Sequence, residues 1–115
     1  MSGRSLAEFA HDEIFQPLGM TSSHFHEDHQ MVVKNRAYSY RPVGPSFKLA
    51  PLNYANIGAT SLFTTVEDLA RWDENFYTGQ VGGKALLGEM QLPGKLNNGR
   101  ETDYASGLVI GIPRS

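Results

Sequence analysis

The stretch Thr64-Thr-Val-Glu-Asp-Leu-Ala-Arg-Trp-Asp-Glu-Asn-Phe-Tyr-Thr-Gly79 decides how the rest of the chain is read. Its opening, Thr64-Thr-Val-Glu67, has the spacing of a capping box, with a hydroxyl residue followed three positions on by a carboxylate that can reach back. Val66, Leu69, Ala70, Trp72 and Phe76 follow at helical intervals, and Gly79 supplies a residue that accepts positive φ. A helix is predicted between them. Glu67 and Asp68 suit its positive end, and Arg71 is expected to pair with Glu67 at the i, i+4 spacing. Trp72, Phe76 and Tyr77 form an aromatic stripe, which at helical spacing reads as core rather than as a ligand-stacking surface.

Working toward the N-terminus, Ser5-Leu-Ala-Glu8 is a second capping box, and Leu6, Phe9, Ala10 and Ile14 mark the apolar side of a helix that Pro17 and Gly19 stop. Thr21 to Gln30 is polar and rich in histidine, as a surface loop would be, while Met31 to Tyr40 has strand character. Pro42, Gly44, Pro45 and Pro51 predict an irregular excursion over Arg41 to Asn53. Toward the C-terminus, Ala85, Leu86, Leu87 and Met90 form a short helix closed by Pro93 and Gly94. Asn98-Gly99 is a hairpin signal separating Lys95 to Asn97 from Thr102 to Ile112. In that last segment small and large residues alternate, which predicts a strand with one face open to close approach. The fold class is α+β.

With 115 residues, 40% hydrophobic and 19% charged, and a net charge of -2, the chain has neither the basic footprint of a nucleic-acid binder nor the composition of a disordered tail. Lys34, Arg36 and Arg41 are too few for such a footprint and are expected to be solvated. The absence of cysteine excludes disulfides, thiolate metal sites and a cysteine nucleophile. Met1 to Leu6 has no apolar h-region, so the chain itself does not reveal its compartment.

Four pieces resemble, in order and spacing, a known family. Ser5-Leu-Ala-Glu-Phe with Ile14-Phe-Gln-Pro-Leu-Gly-Met20-Thr is similar to the segment after the second catalytic motif of β-lactamase-related serine hydrolases. Asn35-Arg-Ala-Tyr-Ser-Tyr40, Gly58-Ala-Thr-Ser-Leu-Phe-Thr-Thr-Val-Glu-Asp-Leu-Ala-Arg-Trp72 and Tyr104-Ala-Ser-Gly-Leu108 continue the match. The resemblance covers nearly the whole chain. It implies the helical subdomain of a β-lactamase/transpeptidase-like fold over about 1–94, with a hairpin and sheet strand over about 95–115. It also implies acyl transfer through a serine in the style of class C β-lactamases, D-alanyl-D-alanine carboxypeptidases and related esterases, and a periplasmic or secreted setting.

That chemistry needs a serine activated by a neighbouring base and an oxyanion held by backbone amides, which the family supplies through Ser-x-x-Lys, Tyr-x-Asn and Lys-Thr-Gly or His-x-Gly. No serine here has lysine three residues later, and neither Lys-Thr-Gly nor His-x-Gly occurs. Tyr54-Ala-Asn56 fits Tyr-x-Asn literally but follows the Ser5 to Met20 segment, whereas the family's motif precedes it. Tyr54 is therefore read as packing and Asn56 as capping a turn. The resemblance places Thr60 and Ser61 on the rim of the substrate cleft. The chain is thus expected to be an internal piece of a hydrolase, inactive alone, whose partner is the remainder of the parent domain and which meets a small-molecule substrate only there. No cofactor is implied.

His24, His26 and His29 offer enough nitrogens for zinc or nickel, yet no single regular element presents all three on one face. A solvated loop is the expectation. The competing reading is a stand-alone protein- or metal-binding module derived from the same family. Thr102 to Ile112, an apolar strand with open hydrogen-bonding edges, is expected to drive self-association.

Overall fold

Ser5 starts the first helix as its spacing predicts: the Glu8 amide donates to the Ser5 hydroxyl at 3.2 Å, and the Ser5 amide donates to the Glu8 carboxylate at 3.0 Å. The computed structural model describes residues 2–28, 30–51 and 56–111. Helix α1 (Leu6–Ala10) passes directly into a π-helical turn, His11–Phe15. The i+5 bonding widens that turn, so Phe15, five residues beyond Ala10, joins Ala10 and Met20 in the core, with Ile14, Leu18, Phe25 and Trp72 packed around them. Gly19, at φ 68, then reverses the chain.

The histidine-rich segment differs from the predicted loop. His24–Phe25 is a short strand, β1, paired antiparallel with β4 (Leu62–Phe63) in the register His24↔Phe63 and Phe25↔Leu62. Polar composition concealed it because the alternate residue, Phe25, packs on the core while histidines flank it. The strand character read over Met31 to Tyr40 is realised only at its last residue. From there the proline-rich stretch forms a hairpin, β2 (Tyr40–Val43) and β3 (Ser46–Leu49), closed by Gly44-Pro45 with Gly44 at φ 58.

Pro42 does not break this ladder because antiparallel pairs alternate: Pro42↔Phe47 is a non-hydrogen-bonded pair, so its missing N–H would have pointed outward. The same register puts Tyr40, Pro42, Phe47 and Leu49 on one face and Arg41, Val43, Ser46 and Lys48 on the other. Both faces are exposed.

Helix α2 (Val66–Thr78) has its cap one residue later than predicted: Thr65 accepts from the Asp68 amide, and Gly79 at φ 69 closes the other end. Thr64 is engaged elsewhere, its hydroxyl bonding Ser23 at 2.7 Å. Arg71 pairs with Asp68 at 2.8 Å, three residues back, rather than with Glu67. Asp68 wins because it is buried, at 1% exposure, where it also accepts from the Ser22 amide and the Ser23 hydroxyl, each at 2.8 Å. Of the aromatic stripe, Trp72 reaches the core and meets Phe76 edge to face at 5.4 Å, whereas Tyr77 is exposed. Helix α3 (Gly83–Met90) follows, joined to α2 by a clamp in which buried Asn75 accepts from the Val81 amide at 2.8 Å and donates to its carbonyl at 3.1 Å.

After α3, the Asn98-Gly99 turn forms, with Gly99 at φ 83 and a single bridge Lys95↔Glu101. The continuous strand expected over Thr102 to Ile112 is not found through residue 111. A second turn at Gly107 (φ 82) folds the segment on itself, with Tyr104 bridging Val109 and the Ala105 amide donating to Leu108 at 2.8 Å. Alternation of small and large residues also suits a tight turn, since Ser106-Gly107 accepts the reversal and the segment has no flanking strand to pair with among the described residues.

Candidate functional site

The β1–β4 ladder brings together two parts of the sequence that were read separately. Beyond the paired residues, the His26 amide donates to the Ser61 carbonyl at 2.8 Å, which sets the histidine segment against the Thr60 to Phe63 edge. The turn before it is tied by Asn56, whose carbonyl accepts from both the Thr60 amide (3.1 Å) and the Thr60 hydroxyl (2.6 Å). Gly58, at φ 98, lies so close to α1 that a Cβ there would meet the Leu6 side chain at 3.2 Å. Ser61 itself adopts φ 70, a conformation uncommon for a residue with a side chain.

These constraints shape an open concavity of about 650 Å³ whose lining includes His26, Arg36, Tyr38, Thr60, Ser61 and Phe63. Phe63 is its hub. The His24 ring stacks on it at 5.5 Å, the His26 ring approaches it tilted at 4.7 Å, and the Arg36 guanidinium lies over it at 4.8 Å. Arg36 also lies over Tyr38, at 5.2 Å. It is half-buried between two aromatic rings rather than solvated as the sequence suggested, and nothing in its spacing signals that role.

His26 is buried, and neither of its ring nitrogens has a hydrogen-bond partner; the Nε2 of His24 is likewise unpaired. No Ser–His couple therefore exists between Ser61 and His26. Burial pushes the His24 imidazole below its ordinary value, with the neighbouring His26 adding to the effect. Among the described residues no group of three or more His, Asp or Glu side chains is placed to hold a metal ion, and the His24 and His26 rings meet each other edge to face at 5.7 Å. His29 and Tyr54 lie outside the described residues.

Glu8 and Asp12 are both held below the usual carboxylate range, Glu8 by its hydrogen bonds to Ser5 and Asp12 by its bond to His11. They are exposed helix residues, and neither belongs to the concavity. Among the described residues the concavity is lined by apolar walls, the Arg36 cation and the buried His26 imidazole.

The sequence model of the β-lactamase family matches residues 1–112. The chain belongs to the β-lactamase family. A comparison with curated proteins found no match. Among solved structures, this β-lactamase-family chain is similar to the octameric penicillin-binding protein homologue from Pyrococcus abyssi, with a TM-score of 0.74 and 24% sequence identity. The match takes in 92% of this chain and 25% of that one. At that identity the likeness speaks for the fold: helices with small antiparallel sheets, an α+β part of the β-lactamase and penicillin-binding protein architecture.

Proposed function

We propose that this chain is a segment of a serine hydrolase that works by acyl transfer on a β-lactam, a peptidoglycan peptide or an ester, and that it forms cleft wall and scaffold without carrying the nucleophile. Family membership over residues 1–112 is the observation that carries the reading. The missing Ser-x-x-Lys and Lys-Thr-Gly or His-x-Gly motifs give it its form: the chemistry must be supplied by other segments. In this reading residues 1–94 belong to the helical subdomain, 95–115 turn toward the main sheet, and Thr60 and Ser61 stand on the cleft rim. Their place in the concavity supports the rim assignment.

The surface supports incompleteness. A folded protein of this mass exposes about 6200 Å², whereas this chain exposes 9269 Å². Its radius of gyration is 17.5 Å, against about 13 Å for a compact domain of this length. The remainder of the parent domain would cover much of that excess, including the apolar face of the β2–β3 hairpin.

The test is the coding sequence on either side of this segment. The reading expects one open frame carrying Ser-x-x-Lys upstream and Lys-Thr-Gly or His-x-Gly downstream. Stop codons on both sides would overturn it in favour of a stand-alone protein- or metal-binding module.

A further inference from the structure

The side-chain amide carbon of an asparagine lies within reach of the next residue's backbone nitrogen, and attack there closes a five-membered ring. A side chain on that next residue crowds the approach, and glycine has none. Asn35, Asn53, Asn56, Asn75 and Asn97 are each followed by a residue with a side chain, whereas Asn98 is followed by Gly99. Sequence alone therefore sets Asn98 apart.

The turn that carries it adds two features. Asn97 and Asn98 are exposed in a turn closed by the Gly99 amide, which donates to the Leu96 carbonyl at 2.8 Å, and Gly99 has open space where a Cβ would stand. The Arg100 amide donates to the Asn98 side-chain oxygen at 3.0 Å, a bond that folds the side chain back along the Gly99 peptide. It also aims a backbone donor at the oxygen that gathers negative charge when a nucleophile adds to the amide carbon. Asn75 has the opposite setting: it is buried, and its side-chain oxygen and nitrogen are both tied to Val81.

We propose that Asn98 is a modification site, at which spontaneous deamidation through a succinimide remakes the turn between Lys95 and Glu101. Local opening of the turn releases the Gly99 N–H from Leu96, and hydroxide takes its proton. The Gly99 nitrogen then bonds to the Asn98 side-chain carbon as the bond from that carbon to the amide nitrogen breaks, and ammonia leaves. Water adds to the succinimide and opens it at either carbonyl. Opening at the side-chain carbonyl gives an aspartyl residue, and opening at the backbone carbonyl gives an isoaspartyl residue whose main chain runs through the side chain. Either product adds one negative charge to a chain of net charge -2. The isoaspartyl product also lengthens the main chain by a methylene inside the loop that the Leu96 amide closes on the Arg100 carbonyl at 2.9 Å, and so loosens the Lys95–Glu101 ion pair of 3.4 Å beside it. The inference is independent of the cleft-wall reading, since it needs only the turn and water.

Tryptic mapping of the chain, incubated at 37 °C for a month at pH 7 and at pH 8 and compared with an unincubated sample, tests it. Cleavage after Lys95 and Arg100 releases residues 96–100, which hold both Asn97 and Asn98. The expected result is a peptide about 1 Da heavier, with fragment ions placing the change at Asn98 and two isomers separating on the column. It should form about tenfold faster at pH 8 than at pH 7, because the Gly99 amide must lose its proton. Asn97, exposed in the same peptide, should change at least about tenfold more slowly, and Gly99→Ala should slow the change at Asn98 by a similar factor. Modification of Asn97 as fast as that of Asn98, a rate independent of pH, or an unchanged 96–100 peptide would overturn the proposal. The comparison of the two neighbouring asparagines in the unaltered chain decides the matter even if the glycine variant does not keep the turn.

Discussion

Among the described residues Asp68 and Asn75 are the largest side chains fully withdrawn from water, and both are polar. Each joins parts of the chain that apolar packing barely holds, Asp68 tying the Ser22-Ser23 segment to α2 and Asn75 tying the α2 end to Val81. Removing Asp68 takes the acceptor from the Ser22 amide, leaves the Ser23 hydroxyl only Thr64 and leaves Arg71 without its partner, so Asp68→Ala should cost about 3 kcal/mol in urea unfolding, and Asn75→Ala about 2 kcal/mol. A loss under 0.5 kcal/mol in either would contradict these roles. Neither was legible in the sequence. The Thr64/Thr65 pair offers two possible caps, and only the claim of Ser23 on Thr64 decides between them. Asp68 then reads as an ordinary first-turn carboxylate until its long-range partners are seen.

His24 carries a pH dependence whose sign follows from its burial. Its folded form resists protonation, so the unfolded chain binds the proton more readily, and stability is fully present above the ordinary imidazole value of 6.5. It falls as pH drops through the lowered value. Glu8 and Asp12 are depressed from ordinary values of 4.5 and 3.8, so their contribution is present above those values and is lost as pH falls through the lowered ones. Thermal midpoints measured from pH 7.5 to pH 3 should decline throughout. His24→Gln should lessen the loss that begins below 6.5.

At the level of elements, the helices were legible because periodicity and caps act locally: Ser5 with Glu8, the apolar ladder from Val66 to Phe76, and Gly79. At Gly79 the need for glycine is physical, since φ is 69 and a Cβ would meet the Lys84 side chain at 2.9 Å and its backbone nitrogen at 3.1 Å. Gly79→Ala should cost about 1–2 kcal/mol in chemical denaturation. A neutral effect would mean that the α2–α3 turn is not fixed as described.

The strands were harder to read because their pairings are short or non-local. β1 is two residues long and its partner lies 38 positions away, at Phe63. The β2–β3 hairpin was masked by its prolines, whose compatibility depends on register rather than on composition. The candidate site shares this difficulty. Thr60 and Ser61 were named through family resemblance and His26 through its chemistry, but the rings that gather Arg36 and His26 meet only once β1 and β4 pair.

For the molecule as a whole, apolar burial is confined to a few side chains while Tyr40, Phe47, Val66, Tyr77 and Leu92 stand more than half exposed. An apolar surface of this kind favours association. Alone at high concentration, the chain should show a light-scattering mass above that of a 12.7 kDa monomer, rising with concentration; a monodisperse monomer would contradict this.

The proposed role of this β-lactamase-family chain, cleft wall without the nucleophile, makes the chain alone inert. Steady-state hydrolysis of nitrocefin and p-nitrophenyl acetate by the chain alone tests it most directly. Rates indistinguishable from buffer, with no burst, are expected. Turnover that disappears in a Tyr54→Phe variant would contradict it, because it would make Tyr54-Ala55-Asn56 a working catalytic motif.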